Sequence, residues 1–140
     1  MEVWFTVPGE PVAKGRPRLG KYGSTYTPAK TVEYENLVKL AYMGNPLIQG
    51  YIMADIDLYF QIPKSASKVK RGKMERAEIR PTKRPDCDNC IKAILDALNG
   101  IAYHDDSQVV EVRCRKLYSE QPRAAVMLRS IGGDSNEKPM

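Results

Sequence analysis

The sequence predicts an α/β (α+β) fold: a single domain with a mixed sheet of about four strands and two main helices. Three observations carry this. At 140 residues and 42% hydrophobic content the chain is sized for one core and has no room for a second full domain. Four stretches alternate apolar and polar residues between Pro- and Gly-rich breaks, as strands do. Two others space their apolar residues three and four apart, as helices do.

In chain order, residues 2–7 alternate and stop at Pro8-Gly9-Glu10-Pro11, which reads as a first strand and a turn. Lys14-Gly15-Arg16-Pro17-Arg18, with Lys21, is a basic loop broken by Gly and Pro; lacking apolar periodicity, it reads as neither helix nor strand. Thr27-Pro28 supplies an N-cap and a first-turn proline for a helix over 28–43, with a stripe of Val32, Tyr34, Leu37, Val38, Leu40 and Ala41. Gly44-Asn45-Pro46 stops it. Residues 51–62 alternate through Ile52, Ala54, Ile56, Leu58 and Phe60 or Ile62, giving a strand that Pro63 ends.

Residues 64–84 have room for a short helical turn among their prolines and charges, and could order on binding. Over 88–98, Ile91, Ile94, Leu95 and Leu98 fall at i, i+3, i+4 and i+7, an amphipathic helix closed by Asn99-Gly100. Strands over 109–118 and 123–131 flank the turn Ser119-Glu120-Gln121-Pro122 and suit an antiparallel hairpin. The domain is thus expected over 1–131, with a disordered polar tail over 132–140.

Composition narrows the partners. Three cysteines, an odd count, argue for reduced thiols rather than a disulfide framework, with Cys114 a buried thiol. The opening strand has no basic segment leading into an apolar run, and no stretch approaches membrane-spanning length; a cytoplasmic protein without membrane association is expected. Net charge is +5, but residues 64–84 hold nine basic residues against Glu75 and Glu78, a local +7 that leaves the rest at −2. Such concentration favours phosphate contact over a merely hydrated loop. Lys14, Arg16, Arg18 and Lys21 in the first loop, and Lys68, Lys70, Arg71, Lys73, Lys83 and Arg84 in the second, are the candidate phosphate contacts.

The second basic segment runs directly into Pro85-Asp86-Cys87-Asp88-Asn89, at the start of the 88–98 helix, and His104-Asp105-Asp106 follows that helix. Asp86 and Asp88 project to the same side in extended chain. If the loop after Gly100 returns to the helix N-terminus, Asp105 or Asp106 joins them, and the mutual repulsion calls for a cation. An oxygen-only, incomplete shell suits magnesium or manganese, hard ions that keep water and accept phosphate oxygens. Lys92, one turn after Asp88, is placed to steady developing charge or assist proton transfer; Asp96 is an outer residue at best.

Pro85-Asp86-x-Asp88-Asn89-x-x-Lys92 with Asp96-Ala97-Leu98, then Asp105-Asp106-x-Gln108-Val109, resembles the RusA-type Holliday junction resolvases of bacteria and their phages, over most of residues 1–130. The resemblance implies a catalytic set of Asp86, Asp88, Lys92 and Asp106, with Asp105 as an auxiliary metal ligand. It also implies a mixed α/β homodimer that requires Mg2+ (Mn2+ as a substitute) and makes paired nicks across a four-way junction in DNA recombination and repair. Symmetric cuts in a two-fold junction give dimerisation its physical rationale. Cys87 and Cys90 depart from the pattern, where aliphatic residues are expected. Two other functions compete: a DNA-binding protein without catalysis, and a zinc module using Cys87 and Cys90 with His104 and Cys114.

Overall fold

The computed structural model describes residues 1–133; of the expected tail, residues 134–140 lie outside the described residues. Its elements are β1 (Glu2–Pro8), β2 (Arg18–Leu19), β3 (Thr25–Tyr26), α1 (Ala29–Tyr42), β4 (Ile52–Gln61), α2 (Lys68–Glu75), α3 (Cys87–Ala97), a 3-10 turn (Asp106–Gln108), β5 (Val109–Ser119) and β6 (Arg123–Ser130). One mixed four-stranded sheet runs in the order β1-β6-β4-β5, and β2 and β3 form a separate small hairpin.

The expected hairpin between the last two strands does not form. β6 pairs antiparallel with both β1 and β4, whereas β5 lies on the far side of β4 and runs parallel to it. Composition explains the arrangement. β6 carries the apolar run Ala124–Leu128 and takes an inner position, while β5, with Glu111, Arg113, Arg115 and Lys116, suits an edge where half its backbone groups face water. The link 120–122 passes the end of β4, where the Ile62 N–H donates to Ser119 O at 3.2 Å and Gln61 Nε2 donates to Glu120 at 3.2 Å. Parallel pairing of β4 and β5 needs a long crossover, and the chain between them holds α2 and α3.

Alternation along β1 and β4 places Val3, Phe5 and Val7, and Ile52, Ala54, Ile56, Leu58 and Phe60, in one core. α1 buries Thr31, Tyr34, Val38 and Tyr42 against it, with Tyr42 edge-on to Phe5 at 5.2 Å. Val32 and Leu40, expected in the stripe, face outward. No side chain caps α1; Pro28 stands at the N-cap in place of Thr27. α3 turns Cys90, Ala93, Ile94 and Ala97 inward, and these mostly small residues allow its close approach to α1, while Ile91 and Leu95 are only partly buried. Each fully buried aliphatic side chain, such as Ile56 or Ile94, contributes roughly 1.5–3 kcal/mol.

The second basic segment is more ordered than its charge predicts. α2 is capped by Ser67, whose Oγ accepts the Lys70 N–H at 3.2 Å, and it buries Met74. Arg71 ties it down through an ion pair to Glu120 and a 3.2 Å bond to Pro63 O. Among the described residues no helix is long and apolar enough to cross a membrane.

Candidate functional site

The N-terminal end of α3 leaves two carboxylates free. Asp86 occupies the N-cap with an extended backbone (φ −78°, ψ 155°), yet its side chain caps nothing; Asp88 lies in the first turn, and both are exposed. A carboxylate at an N-cap ordinarily accepts a backbone N–H of the first turn. This pair therefore keeps its oxygens for solvent or a ligand, in the positive field of the helix terminus. Lys92, also exposed, stands one turn further along that side.

Directly beneath lie the three thiols. Burial pushes Cys90 up to about 12, with Lys116 opposing and Cys87, Asp86 and Asp88 adding to the rise. Burial raises Cys114 as well, helped by Cys87, whose thiol is its hydrogen-bond partner. Cys90 is fully buried, while Cys87 and Cys114 are half-buried. Held protonated, Cys90 and Cys114 serve as packing. His104, the fourth ligand of the zinc reading, sits in the loop after α3 instead, its N–H donating to Gln108 Oε1 at 2.9 Å. Among the described residues no three His, Cys, Asp or Glu side chains are grouped to hold a metal ion.

Asp86 opens into a cleft of about 940 Å³ between the first basic loop, the start of α1 and the chain entering α3. Arg16, Arg18, Lys30, Arg84, Asp86 and Asn89 line it. Two backbone bonds shape it: the Lys14 N–H donates to Asn89 O at 2.9 Å, and the Gly15 N–H to Thr31 Oγ1 at 2.9 Å. A Cβ on Gly15 would stand 2.9 Å from both Pro28 Cγ and Thr31 Oγ1, so glycine is what lets the loop pass this close. Lys116 Nζ donates to Lys83 O at 2.6 Å and ties the chain just before Arg84 to β5.

Lys14 itself turns away from this role. Its ammonium lies 3.2 Å from Glu35 and 3.4 Å from Asp96. Burial alone would lower its pKa, but the hydrogen bond and charge of Glu35, with Asp96, outweigh it and hold the pKa above the usual lysine value. Asp96 thereby pairs with Lys14, not with Lys92. Of the other candidate contacts, Arg16, Arg18, Lys21, Lys68, Lys70, Lys73, Lys83 and Arg84 are exposed, and Arg71 is committed to Glu120.

The loop after Gly100 goes to the C-terminal end of α3, not back to its start. The Asp106 N–H donates to Asn99 Oδ1 at 2.8 Å and Asn99 Nδ2 donates to Asp106 Oδ2 at 3.5 Å. Asp105 caps the 3-10 turn, accepting the Ser107 N–H at 3.1 Å; hydrogen bonds from Ser107 hold its carboxyl below the usual range. Gln108 is the clamp. Its buried amide accepts the N–H groups of His104 and Asp105 and donates to Ile48 O and Gly50 O at 3.1 and 3.0 Å, fixing the loop to the entry of β4. Eleven residues of α3 put about 16 Å between its ends. Asp106 thus stands by Asn99 at the opposite end of α3 from Asp86 and Asp88, and among the described residues the three are not grouped to hold one ion.

Sequence reasoning passed over Lys30, Asn99 and Lys116. Lys30 and Lys116 lie outside the two basic clusters. Asn99 carried a signal only as a helix stop.

A basic cleft lined by one unengaged carboxylate, Asp86, with a second, Asp88, exposed in the first turn of α3, on a small mixed α+β domain, is the equipment of a phosphodiester-cleaving nucleic-acid enzyme. Residues 8–129 match the family described as Endodeoxyribonuclease RusA, and the chain belongs to that family. It is also 44% identical over 135 residues to the uncharacterized protein YqaN of Bacillus subtilis (strain 168), an overlap covering 91% of this chain and 95% of that one.

Proposed function

We propose that the protein is a magnesium-dependent endodeoxyribonuclease that resolves four-way DNA junctions by paired symmetric nicks, acting as a homodimer in recombination and repair. Asp86, exposed and uncapped where it lines the basic cleft, with Asp88 exposed in the first turn of α3, carries this reading. Two carboxylates, with water and a substrate phosphate completing the shell, fit Mg2+, and Mn2+ accepts the same oxygens. When bound, such an ion lowers the pKa of a coordinated water and offsets charge growing on the phosphate.

Each part of the chain then has a task. Arg16, Arg18, Lys30 and Arg84 neutralise the DNA backbone and seat one phosphate against Asp86 and Asp88. Lys92 faces that phosphate from one turn along the helix, where its ammonium offsets developing negative charge or protonates the leaving 3′ oxygen. The exposed lysines of α2 extend the basic track. Asp106 enters as a third ligand, with Asp105 beside it, from a second copy of the chain, because a helix length separates it from the pair in its own. A homodimer therefore completes two equivalent sites, as paired nicks require.

The test is incubation of the purified protein with a synthetic mobile four-way junction in Mg2+, beside linear duplex of the same sequence and an Asp88→Asn control. Symmetric nicks in the junction, absent with the variant while binding persists, are expected. Salt-sensitive binding without nicks in either Mg2+ or Mn2+ would instead make the protein a non-catalytic DNA binder.

A further inference from the structure

The β2–β3 hairpin contributes nothing to the core: all four of its strand residues are exposed. Yet it presents Leu19 (74% exposed), Tyr22 (90%) and Tyr26 (52%) to solvent. Tyr22 occupies the turn between Gly20 and Gly23, the latter at φ +83°, and the Gly23 N–H closes the turn on Gly20 O at 3.2 Å. Tyr26 stands opposite Arg18 in the pairing register. Arg18 and Arg16 line the cleft that ends at Asp86, and Lys21 adjoins Tyr22 at the tip.

A tyrosine so exposed buries little apolar surface, and in the turn of a two-rung hairpin Tyr22 makes an aromatic tip on a basic stem. That combination suits a nucleobase that has lost its neighbour. Cations hold the phosphates while an aromatic face replaces the missing stack, an interaction that tolerates any base identity. An intact duplex offers no such base; a branch point does.

We propose that the β2–β3 hairpin is the branch-sensing element of this enzyme, with Tyr22 stacking on a nucleobase unstacked at the branch point. The inference rests on the junction-resolving reading and adds to it the source of preference for branched over linear DNA.

Equilibrium binding in the non-cleaving Asp88→Asn protein, on a four-way junction and on linear duplex at one salt concentration, tests it. Tyr22→Ala should weaken junction binding about tenfold and leave duplex binding unchanged, while Tyr22→Phe keeps both. Lys21→Ala should weaken both alike, as loss of a phosphate contact does. A 5-iododeoxyuridine at the branch point should photocrosslink to Tyr22 in the Asp88→Asn protein. Equal loss on junction and duplex from Tyr22→Ala, or no loss on either, overturns the branch-sensing role. Failure of the parent protein to nick any DNA overturns the nuclease reading instead, and the binding ratio still decides whether Tyr22 distinguishes branched DNA.

Discussion

The two ends of α3 carry aspartate pairs of the same composition with opposite local fates. At the N-terminal end Asp86 and Asp88 are exposed and make no capping bond. At the C-terminal end Asp105 caps a 3-10 turn, Asp106 is bracketed by Asn99, and Gln108 clamps the whole loop to β4. One pair is left for a ligand; the other is first a piece of architecture. A carboxylate prepared by its own chain for structure can still serve chemistry, and in the proposed homodimer a second copy brings the complementary pair to it.

The contrast can be broken from either end. Asp88→Asn and Asp106→Asn should each lower nicking by roughly 10²–10³-fold or more, as loss of a group that offsets transition-state charge does. Mixed and allowed to exchange subunits, the two inactive proteins should regain activity, because one of the two sites in the mixed dimer then has Asp88 from one copy and Asp106 from the other. Single nicks in a junction would report it. Recovery of no activity on mixing would mean that the acids do not combine across copies.

The clamp is tested through stability. Gln108→Ala removes four hydrogen bonds and leaves Ile48 O and Gly50 O without their partner, so it should cost about 3 kcal/mol in urea unfolding. Nicking should fall further than junction binding, since Asp106 is displaced while the basic cleft is intact. Unchanged stability would mean that the loop holds without its clamp.

Lys14 gives the smallest effect and sharpens the distinction between fold and DNA contact. Lys14→Met leaves Glu35 and Asp96 without the cation between them, and should cost roughly 1–2 kcal/mol. The salt dependence of junction binding should be unaltered, whereas Arg18→Ala should flatten it by about one unit of slope. A slope change at Lys14 equal to that at Arg18 would return it to the phosphate contacts.

Local signals carried most of the secondary structure. Alternation located β1, β4, β5 and β6, and the stripe Ile91, Ile94, Leu95, Leu98 with Asn99-Gly100 located α3 to within a residue or two. The basic loop reads as neither helix nor strand because a hairpin of two-residue strands has no periodicity to detect, and α2 is nearly hidden because only Met74 of its residues is buried. The acidic motifs, too, stood in the sequence together with the family they belong to.

Pairing was another matter. A short polar turn between two strands favours a hairpin, but β6 is apolar enough to be wanted between β1 and β4, and that competition is settled by burial across the whole sheet. The same holds for charge. Lys14 is one basic residue among several until Glu35 and Asp96, 21 and 82 positions further along the chain, arrive on either side of it. Sequence by itself determined which residues can bind metal or phosphate, because that is a property of each side chain. Only the tertiary structure decided which of them are free to do so, because freedom depends on partners that the fold brings from distant positions.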